Sequence, residues 1–176
     1  MKRLFVLFLC VCSFSCIGQT IKQIDLLTSG IGQTFSELEK KLSLKSSGKK
    51  KRFGLESRTY DFKDFWILVS EVEEGKIGKI SYFINVDKNL SERWYQLASD
   101  MNNNSSYIFQ KSFIADPEDK LTTEDLDFKS LVSLLRSSRG TDEFIFEVTY
   151  KKDNTITRLS HSPVSISIET KIEEIK

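Results

Sequence analysis

The sequence has little of what catalytic and metal centres are usually built from. Among its 176 residues there are three cysteines and one histidine. The cysteines, Cys10, Cys12 and Cys16, all lie within the first 16 residues. Downstream of them, no thiol is left for a disulfide, a covalent nucleophile or a thiolate metal site. The folded part of the chain therefore has to be stabilised by its core alone.

The single histidine, His161, is also poorly placed for catalysis. Catalytic zinc usually requires several histidines. A Ser-His pair needs a serine on a strained turn, and the sequence has no G-x-S-x-G motif. Because His161 lies between two serines near Pro163, at the end of a predicted strand, we predict that it is a surface residue. The eight glycines are scattered, so a phosphate-binding glycine loop is absent too.

The start of the chain is hydrophobic, but its apolar run is short. Lys2 and Arg3 precede the apolar residues 4–11, a run well below the roughly 20 residues of a membrane-spanning helix. Small and polar residues follow. This order is typical of a secretory signal peptide. We predict that residues 1–18 are removed and that residues 19–176 form one exported domain.

Two routes of processing lead to different locations. Cleavage after Gly18 releases a periplasmic or secreted protein that begins at Gln19. The alternative makes Cys16 the lipid-bearing first residue of a protein anchored in the cell envelope. Position 13, three residues before that cysteine, is a serine and lacks the usual aliphatic side chain. The sequence therefore favours simple cleavage.

The charge balance excludes broad electrostatic recognition. The whole chain has a formal net charge of +1. Loss of residues 1–18 removes two of the 26 basic residues, which leaves 24 against 25 acidic residues and a formal charge of −1. A nearly neutral domain has no global field that selects nucleic acid or a membrane surface. Any electrostatic recognition has to be local.

The stretch 66–86 predicts the centre of the fold. Two runs of β-branched and aromatic residues, 66–72 and 80–86, flank a turn in which Gly75 supplies a positive φ. Alternation in the second run predicts one buried face, formed by Ile80, Tyr82, Ile84 and Val86. Further strands are predicted at 53–62, 107–114, 144–151, 156–161 and 164–169, with Asp153-Asn154 as a reversal. Residues 19–31 fit a strand or a short helix equally well.

Three short amphipathic helices are predicted to cover this sheet. The first begins with a capping box of Thr34 and Glu37. The second follows Asn89 or Ser91 as N-cap, and the third stops at Gly140. Apolar residues recur in each at helical spacing: Phe35, Leu38 and Leu42; Trp94, Leu97, Ala98 and Met101; and Phe128, Leu131, Val132 and Leu135. The predicted fold class is α+β, an antiparallel sheet covered by three helices.

The first and third helices share the pattern Phe-x-x-Leu-x-x-x-Leu, and hairpin-rich segments follow both. This indicates a tandem helix-plus-three-strand repeat over about 33–86 and 126–172, although amphipathic helices alone also give such spacing. With Gly32-Gln33-Thr34 before the first helix and Gly75-Lys76 in the hairpin, the chain resembles the β-lactamase-inhibitor-protein-like group, which includes small outer-membrane assembly lipoproteins. The resemblance implies a protein-binding or scaffold role, with no catalytic residues to carry over.

Two groups of side chains are candidate binding sites. The segment 45–52 is predicted to be a flexible polar loop, which is either simply solvated or a contact for an anionic ligand or lipid headgroups. The aromatic content is high for a small core, so some aromatic residues are candidate interface anchors, although core packing is the default interpretation. The candidates are Lys49, Lys50, Lys51 and Arg52 in the loop, and Trp66, Trp94 and Tyr95 among the aromatic residues.

Acidic residues suggest two further sites. Glu71 and Glu147 each interrupt an apolar strand, but a hydrolytic carboxylate pair has to lie within about 5 to 9 Å, and outward-pointing side chains are the simpler interpretation. Six carboxylates lack the spacing and central glycine of a calcium loop and better fit the start of a helix. These six are Asp116, Glu118, Asp119, Glu124, Asp125 and Asp127.

We therefore expect an exported, non-enzymatic binding or scaffold protein of the bacterial cell envelope that acts through a protein partner, without a cofactor or metal. One alternative is a carrier with a pocket for a small ligand or lipid between helices and sheet. Another is a hydrolase built on carboxylates. Membrane contact is expected only through the basic loop or a lipidated Cys16, and nucleic acid is not an expected partner.

Overall fold

The computed structural model of the protein describes residues 24–25, 28–62, 65–84, 90–115, 122–137 and 143–173, and for 122–124 it describes the backbone alone. The predicted signal peptide and Cys16 lie outside these residues. The helices are α1 Phe35–Leu42, α2 Leu90–Asn103 and α3 Phe128–Ser137. The strands are β1 Gly48–Arg52, β2 Leu55–Asp61, β3 Phe65–Glu73, β4 Lys76–Ile84, β5 Ile108–Ala115, β6 Thr122–Glu124, β7 Ile145–Lys152, β8 Thr155–Ser162 and β9 Ser165–Ile172.

The nine strands of the described residues form one antiparallel sheet. Their order is β1-β2-β3-β4-β9-β8-β7-β5-β6. Strands β1 to β4 make one meander and β7 to β9 make another. The last strands of the two meanders pair at the centre of the sheet, where Tyr82 of β4 lies opposite Ile168 of β9. The predicted class, a mixed α+β protein with an antiparallel sheet and three helices, is confirmed.

The predicted central hairpin is confirmed as β3 and β4. Gly75 closes it with a φ of +78°, a conformation that glycine adopts without steric cost. Near this turn the register shifts on both sides of Glu71. The Glu71 carboxylate accepts hydrogen bonds from the backbone N–H groups of Glu56, at 2.7 Å, and Gly75, at 3.2 Å. It thereby ties the irregular end of β3 to both neighbouring segments.

One face of the sheet, which we call the core face, carries the apolar core and the helices. The predicted inward residues Ile80, Tyr82 and Ile84 of β4 are buried there, whereas Val86 lies outside the described residues. The other strands follow the same alternation. In β7, for example, Phe146 and Tyr150 are fully buried.

Helix α2 is fixed to the core face by its predicted apolar side. Trp94 is fully buried; its indole Nε1 donates to the carbonyl oxygen of Leu159 at 3.2 Å, and its ring meets Phe146 edge-on at 4.5 Å. The Tyr150 hydroxyl donates to the carbonyl oxygen of Ala98 at 2.9 Å. Both hydrogen bonds run between α2 and the strands β7 and β8, so polar atoms as well as apolar area hold the helix in place.

Helix α1 begins with the predicted capping box. The Glu37 carboxylate accepts from the backbone N–H of Thr34 at 2.8 Å, and the Thr34 hydroxyl accepts from the backbone N–H of Glu37 at 3.3 Å. Phe35 and Leu38 are buried as predicted, and Leu42 is partly buried. The sequence therefore predicted both the start and the buried side of this helix.

A polar cluster joins α1 to β2. The Arg58 guanidinium contacts Glu39 at 2.7 Å and Glu56 at 2.5 Å and lies 4.3 Å from the centre of the Phe35 ring. The Tyr60 hydroxyl donates to Glu39 at 3.1 Å. Burial by itself raises the pKa of Glu39, but hydrogen bonds from Arg58 and Tyr60 and the charge of Arg58 outweigh it, so the pKa lies below its ordinary value.

The prediction of a flexible loop over 45–52 is wrong for its second half, because the basic residues form the edge strand β1. A two-residue turn, Phe53-Gly54, joins β1 to β2 with φ values of +52° and +86°. Both residues have the positive φ of a type I′ hairpin turn. An edge strand with both sides in water needs no apolar alternation, so periodicity did not reveal it. Phe53, which the sequence assigns to the following strand, is the first residue of this turn.

The prediction that His161 is a surface residue is also wrong. Its side chain is fully buried, stacks on the Phe146 ring at 4.0 Å and has Nδ1 3.0 Å from the carbonyl oxygen of Phe144. His161 continues the inward alternation of Thr157 and Leu159 along β8. The neighbouring serines, Ser160 and Ser162, suggested a surface position, but their side chains lie on the opposite face of the strand from His161.

The acidic stretch before α3 is only partly described. Asp116, Glu118 and Asp119 lie outside the described residues, and residues 122–124 form the short strand β6, which was not predicted. Asp127 caps the helix, since its carboxylate accepts from the backbone N–H of Ser130 at 2.8 Å, a bond that lowers the pKa of Asp127. Helix electrostatics therefore account for this member of the group.

The remaining predicted helix boundaries agree in part. Helix α2 begins at Leu90, so Ser91 is not its N-cap, and Asn89 lies outside the described residues. Helix α3 ends at Ser137, and the predicted stop at Gly140 lies outside them too.

The two tryptophans should differ sharply in their effect on stability. Trp94→Ala removes a fully buried ring and a buried hydrogen bond, so we expect it to lower the free energy of unfolding by about 3 to 5 kcal/mol. Trp66→Ala removes a half-buried ring and should cost about 1 kcal/mol. Urea unfolding of both variants measures the difference. Equal losses would contradict the assignment of Trp94 to the core.

The cluster at α1 predicts acid sensitivity. The pKa of Glu39 is lower in the folded than in the unfolded state. The ionised Glu39 therefore contributes to the free energy of unfolding above the unfolded pKa, and this contribution is lost as the pH falls through the folded pKa. Glu39→Gln should therefore be less stable than the wild type at neutral pH and lose less stability on acidification. Urea midpoints across pH test this, with Glu74→Gln, an exposed turn residue, as control. Parallel pH profiles for wild type and Glu39→Gln would refute it.

Candidate functional site

The second face of the sheet, which we call the open face, is the candidate functional site. The three helices of the described residues pack on the core face, and the alternate side chains of β3, β4, β9, β8 and β7 point away from them. A sheet with one helix-free face usually presents polar side chains there. Here the face combines aromatic residues with charge.

Two stacked aromatic rings form the apolar centre of the open face. Trp66 of β3 and Phe83 of β4 lie directly opposite each other, with ring centroids 4.0 Å apart and planes at 12°. Leu68, two residues further along β3, adds an apolar side chain opposite Ser81. Trp66, Leu68 and Phe83 are all half-buried. Part of each therefore remains available to a partner.

A row of charged side chains crosses the open face beside this centre. Lys79 contacts Glu169 at 2.6 Å, and Arg158 contacts Glu147 at 3.0 Å. The hydroxyl of Ser160 donates to Glu147 at 2.8 Å. The four charged residues come from β4, β9, β8 and β7 in order, so their signs alternate across neighbouring strands. The row is compensated internally and has no excess of one sign.

The basic strand β1 borders the open face at one edge of the sheet. Its register with β2 places Lys50 and Arg52 on the open-face side and Lys49 and Lys51 on the other side. A shallow groove of about 370 Å³ lies between β1 and Leu68. Among the described residues, no carboxylate forms an ion pair with any of these four cations. The positive charge of β1 is therefore uncompensated within the part of the chain that the structure describes.

The tip of the β1–β2 hairpin carries an unusual side chain. Phe53 is 90% exposed, and its one described ring contact is the Arg52 guanidinium, 5.1 Å from its centroid. Its φ of +52° belongs to a region that bulky residues seldom occupy. Asparagine or aspartate is the usual residue before glycine in such a turn. Phe53 thus has an unfavourable backbone conformation for a bulky residue, and its apolar ring is exposed to water.

The structure separates the three aromatic residues that the sequence proposed as interface anchors. Trp66 lies on the open face. For Trp94 the default interpretation, core packing, agrees with the structure, and its interface role is excluded because α2 turns the ring into the sheet. Tyr95 is half-buried between helices; its hydroxyl accepts from Arg136 at 2.8 Å, and the guanidinium lies 5.0 Å from its ring. It joins α2 to α3 on the core-face side.

The two glutamates that suggested a hydrolytic pair do not meet. Glu71 lies on β3 and Glu147 on β7, four strand spacings apart, which corresponds to about 19 Å. Glu71 is engaged by backbone N–H groups, and Glu147 by Arg158 and Ser160. A hydrolytic pair requires about 5 to 9 Å, so this pairing is wrong.

A second cavity, of about 380 Å³, opens at the end of the sheet near Asp25 and Lys152. The Asp25 carboxylate accepts from the Tyr107 hydroxyl at 2.6 Å and contacts Lys152 at 2.5 Å. Burial, followed by the hydrogen bond to Asp25, raises the pKa of Tyr107. Asp25 and Lys152 thus satisfy each other at this cavity, and they tie the start of the described chain to the sheet.

Sequence reasoning missed Phe53 and Leu68 as surface residues, whereas the alternation predicted for 80–86 already assigns Phe83 to the face opposite the buried one. The dipeptide Phe53-Gly54 between two polar runs was the available signal for the turn. For Leu68 there was none, because β3 is apolar at consecutive positions and its two faces look alike in the sequence. Within the described residues, no helix is both long and apolar enough to cross a membrane, and no three His, Cys, Asp or Glu side chains gather as a metal site.

Comparison with known proteins identifies no family. No family model matches the chain, and no curated protein matches it. Among solved structures, it is similar to a cysteine-rich secretory protein from Staphylococcus aureus subsp. aureus Mu50, with 14% sequence identity and a TM-score of 0.44. The match covers 82% of this chain and 44% of that protein, so the chain spans less than half of its length.

The hairpin tip predicts a stabilising substitution. Phe53→Asn places the preferred residue at a positive φ before Gly54, so we expect the free energy of unfolding to rise by about 1 kcal/mol. Gly54→Ala, at a φ of +86°, should lower it by a similar amount. Thermal unfolding of both variants measures these shifts. A lower stability of Phe53→Asn would show that the Phe53 ring contributes to the folded state.

Proposed function

We propose that the protein is an exported binding protein that holds a protein partner on the open face of its sheet. The observation that carries the proposal is the Trp66–Phe83 stack, half-buried and bordered by the row of ion pairs. Interfaces between proteins typically have an aromatic centre and a polar rim, and tryptophan is frequent among the residues that dominate binding energy. The open face has both parts.

The charges of the open face favour a protein over a lipid or a nucleic acid as its occupant. Lys79, Glu169, Arg158 and Glu147 alternate in sign and are already paired. Because the row has no excess of one sign, it does not attract an anionic surface, whereas a protein of mixed surface charge is accepted without an unpaired charge. The expected partner surface is apolar opposite Trp66 and uncharged or of mixed charge around it.

The alternative of a ligand carrier needs space between the helices and the sheet. Where α2 meets β7 and β8, that space is filled by the fully buried Trp94, Phe146 and Tyr150. The helix is also hydrogen-bonded to both strands there. The core face is thus packed at the place where a carrier would open, and this favours a role for the opposite face.

The proposal includes a tandem repeat, with export directed by residues 1–18. Strands β2-β3-β4 and β7-β8-β9 are arranged symmetrically about the pair β4·β9, and α1 and α3 precede them in the chain. Leu38 and Leu131, at matching positions of the two helices, are both fully buried. The junction of the repeats then lies at the centre of the open face. A role as a binding or scaffold protein is also what the resemblance to the β-lactamase-inhibitor-protein-like group implies.

Site-specific photo-crosslinking in the native host tests the function. The full chain carries p-benzoylphenylalanine in place of Phe83 on the open face or, as control, of Tyr95 on the helix side. We expect one protein to be cross-linked from position 83 and not from position 95, and the product to disappear when Leu68→Arg is added. With the purified partner, Trp66→Ala should raise the Kd about 30-fold, as expected for an aromatic hot spot.

Two outcomes would contradict the proposal. Identical products from positions 83 and 95 would show that the open face is not the binding surface. If the product from position 83 persists in a folded Leu68→Arg variant, the cross-linked protein touches the open face but does not bind specifically to it. Export is tested by the intact mass of the protein from the envelope fraction, which distinguishes a chain that starts at Gln19 from one lipidated at Cys16.

A further inference from the structure

We infer that the β1–β2 hairpin is a contact for an anionic membrane surface, with Phe53 inserted between the lipids and Lys49, Lys50, Lys51 and Arg52 among the headgroups. This hairpin lies at the edge of the sheet and is distinct from the Trp66–Phe83 centre of the open face. The inference goes beyond the proposed binding of a protein and does not depend on it.

The charge of the hairpin is the first observation. Lys79, Lys152 and Arg158 lie in ion pairs. The four cations of β1, like Lys45 and Lys111, form none with a described carboxylate, and among these those of β1 are the ones that follow one another directly in a strand. The nearest acidic neighbour in the register is Glu56, opposite Lys51, and it is occupied by Arg58 at 2.5 Å. Because the side chains of β1 alternate, two cations point to each side of the hairpin. Positive charge therefore surrounds its tip.

The exposed aromatic tip is the second and independent observation. Phe53 is 90% exposed and has a φ that favours asparagine at this position. Backbone strain of this kind is concentrated at functional sites, where the side chain itself is needed. An apolar ring at the narrowest point of a hairpin, directly after four cations, matches the two parts of a membrane interface. The ring meets the acyl boundary while lysine and arginine keep their charges in the headgroup layer.

The expected affinity of the hairpin for an anionic bilayer is too low to anchor the protein but sufficient to orient it. Each cation near an anionic bilayer contributes roughly fivefold in binding, and burial of a phenylalanine contributes roughly tenfold. Together they give an association constant on the order of 10⁴ M⁻¹, comparable to a single myristoyl chain. Such a contact is reversible on its own and fixes the orientation of a protein that is held at the envelope by another interaction.

Vesicle sedimentation of the full chain tests the inference, with phosphatidylcholine vesicles prepared with and without phosphatidylglycerol. The wild type should bind only the anionic vesicles, and more weakly as salt is added. The triple variant Lys49→Ser, Lys50→Ser, Lys51→Ser should lose about 100-fold in binding. Phe53→Asn should lose about tenfold while its thermal stability is at least that of the wild type. Misfolding then cannot explain the loss.

Matched control variants separate the hairpin from the general surface. Val164 is 85% exposed in the turn between β8 and β9, at the opposite end of the sheet, so Val164→Asn should bind as the wild type does. Lys129→Ser, on the exposed side of α3, should also leave binding unchanged.

Three results would overturn the inference. Unchanged binding by Phe53→Asn would exclude insertion of the ring. Equal losses in the control variants would show a nonspecific attraction. Failure of the wild type to bind anionic vesicles, together with binding of an extended glutamate-rich peptide that the triple lysine variant loses, would assign β1 to an acidic strand that pairs with the free sheet edge.

Discussion

The docking of α2 on β7 and β8 is the interaction on which the rest of the structure depends. This helix begins the connection between the two meanders, which continues through β5, β6 and α3. It is held by the indole N–H of Trp94 and by the hydroxyl of Tyr150 as well as by apolar packing. Each of these buried polar groups has its partner, which avoids the large cost of an unsatisfied donor. Because α1, α2 and α3 lie on the same face, none of these three helices covers the opposite face of the central strands.

The elements that face a buried layer were predictable, because burial imposes a period on the sequence. The capping box at Thr34, the apolar side of α2 and the glycine turn at Gly75 all appear as predicted. The strand β1 was not predictable in this way, since both of its sides meet water. His161 was misplaced because its neighbours are polar although its own position points inward. For β1 and for His161, the local composition did not indicate which face of the sheet each side chain occupies.

The candidate site was predictable only in part, for a related reason. The sequence identified the basic residues of β1 and Trp66 as candidates from their residue types. The basic residues are exposed, and Trp66 is half-buried. Phe83 comes beside Trp66 through the predicted hairpin of β3 and β4. The row of charged residues depends instead on the pair β4·β9, which joins strands far apart in the chain, and no local pattern contains that pairing. Trp94 belongs to the apolar side of a predicted helix, so its core position was indicated by the sequence. Trp66 lies in a strand that is apolar at consecutive positions, so its surface position was not.

The central pair β4·β9 joins residues that lie more than 80 positions apart in the chain, as Tyr82 and Ile168 show. Contacts of such sequence separation form late in folding, because a long segment has to be ordered first. Until the last strand has left the ribosome, β4 presents an unpaired edge in the middle of the future sheet. A chain that is truncated before Ser165 keeps that edge permanently and is exposed to aggregation. Pairing with β9 thus protects the edge of β4 from association with another chain, although β9 lies far from β4 in the sequence.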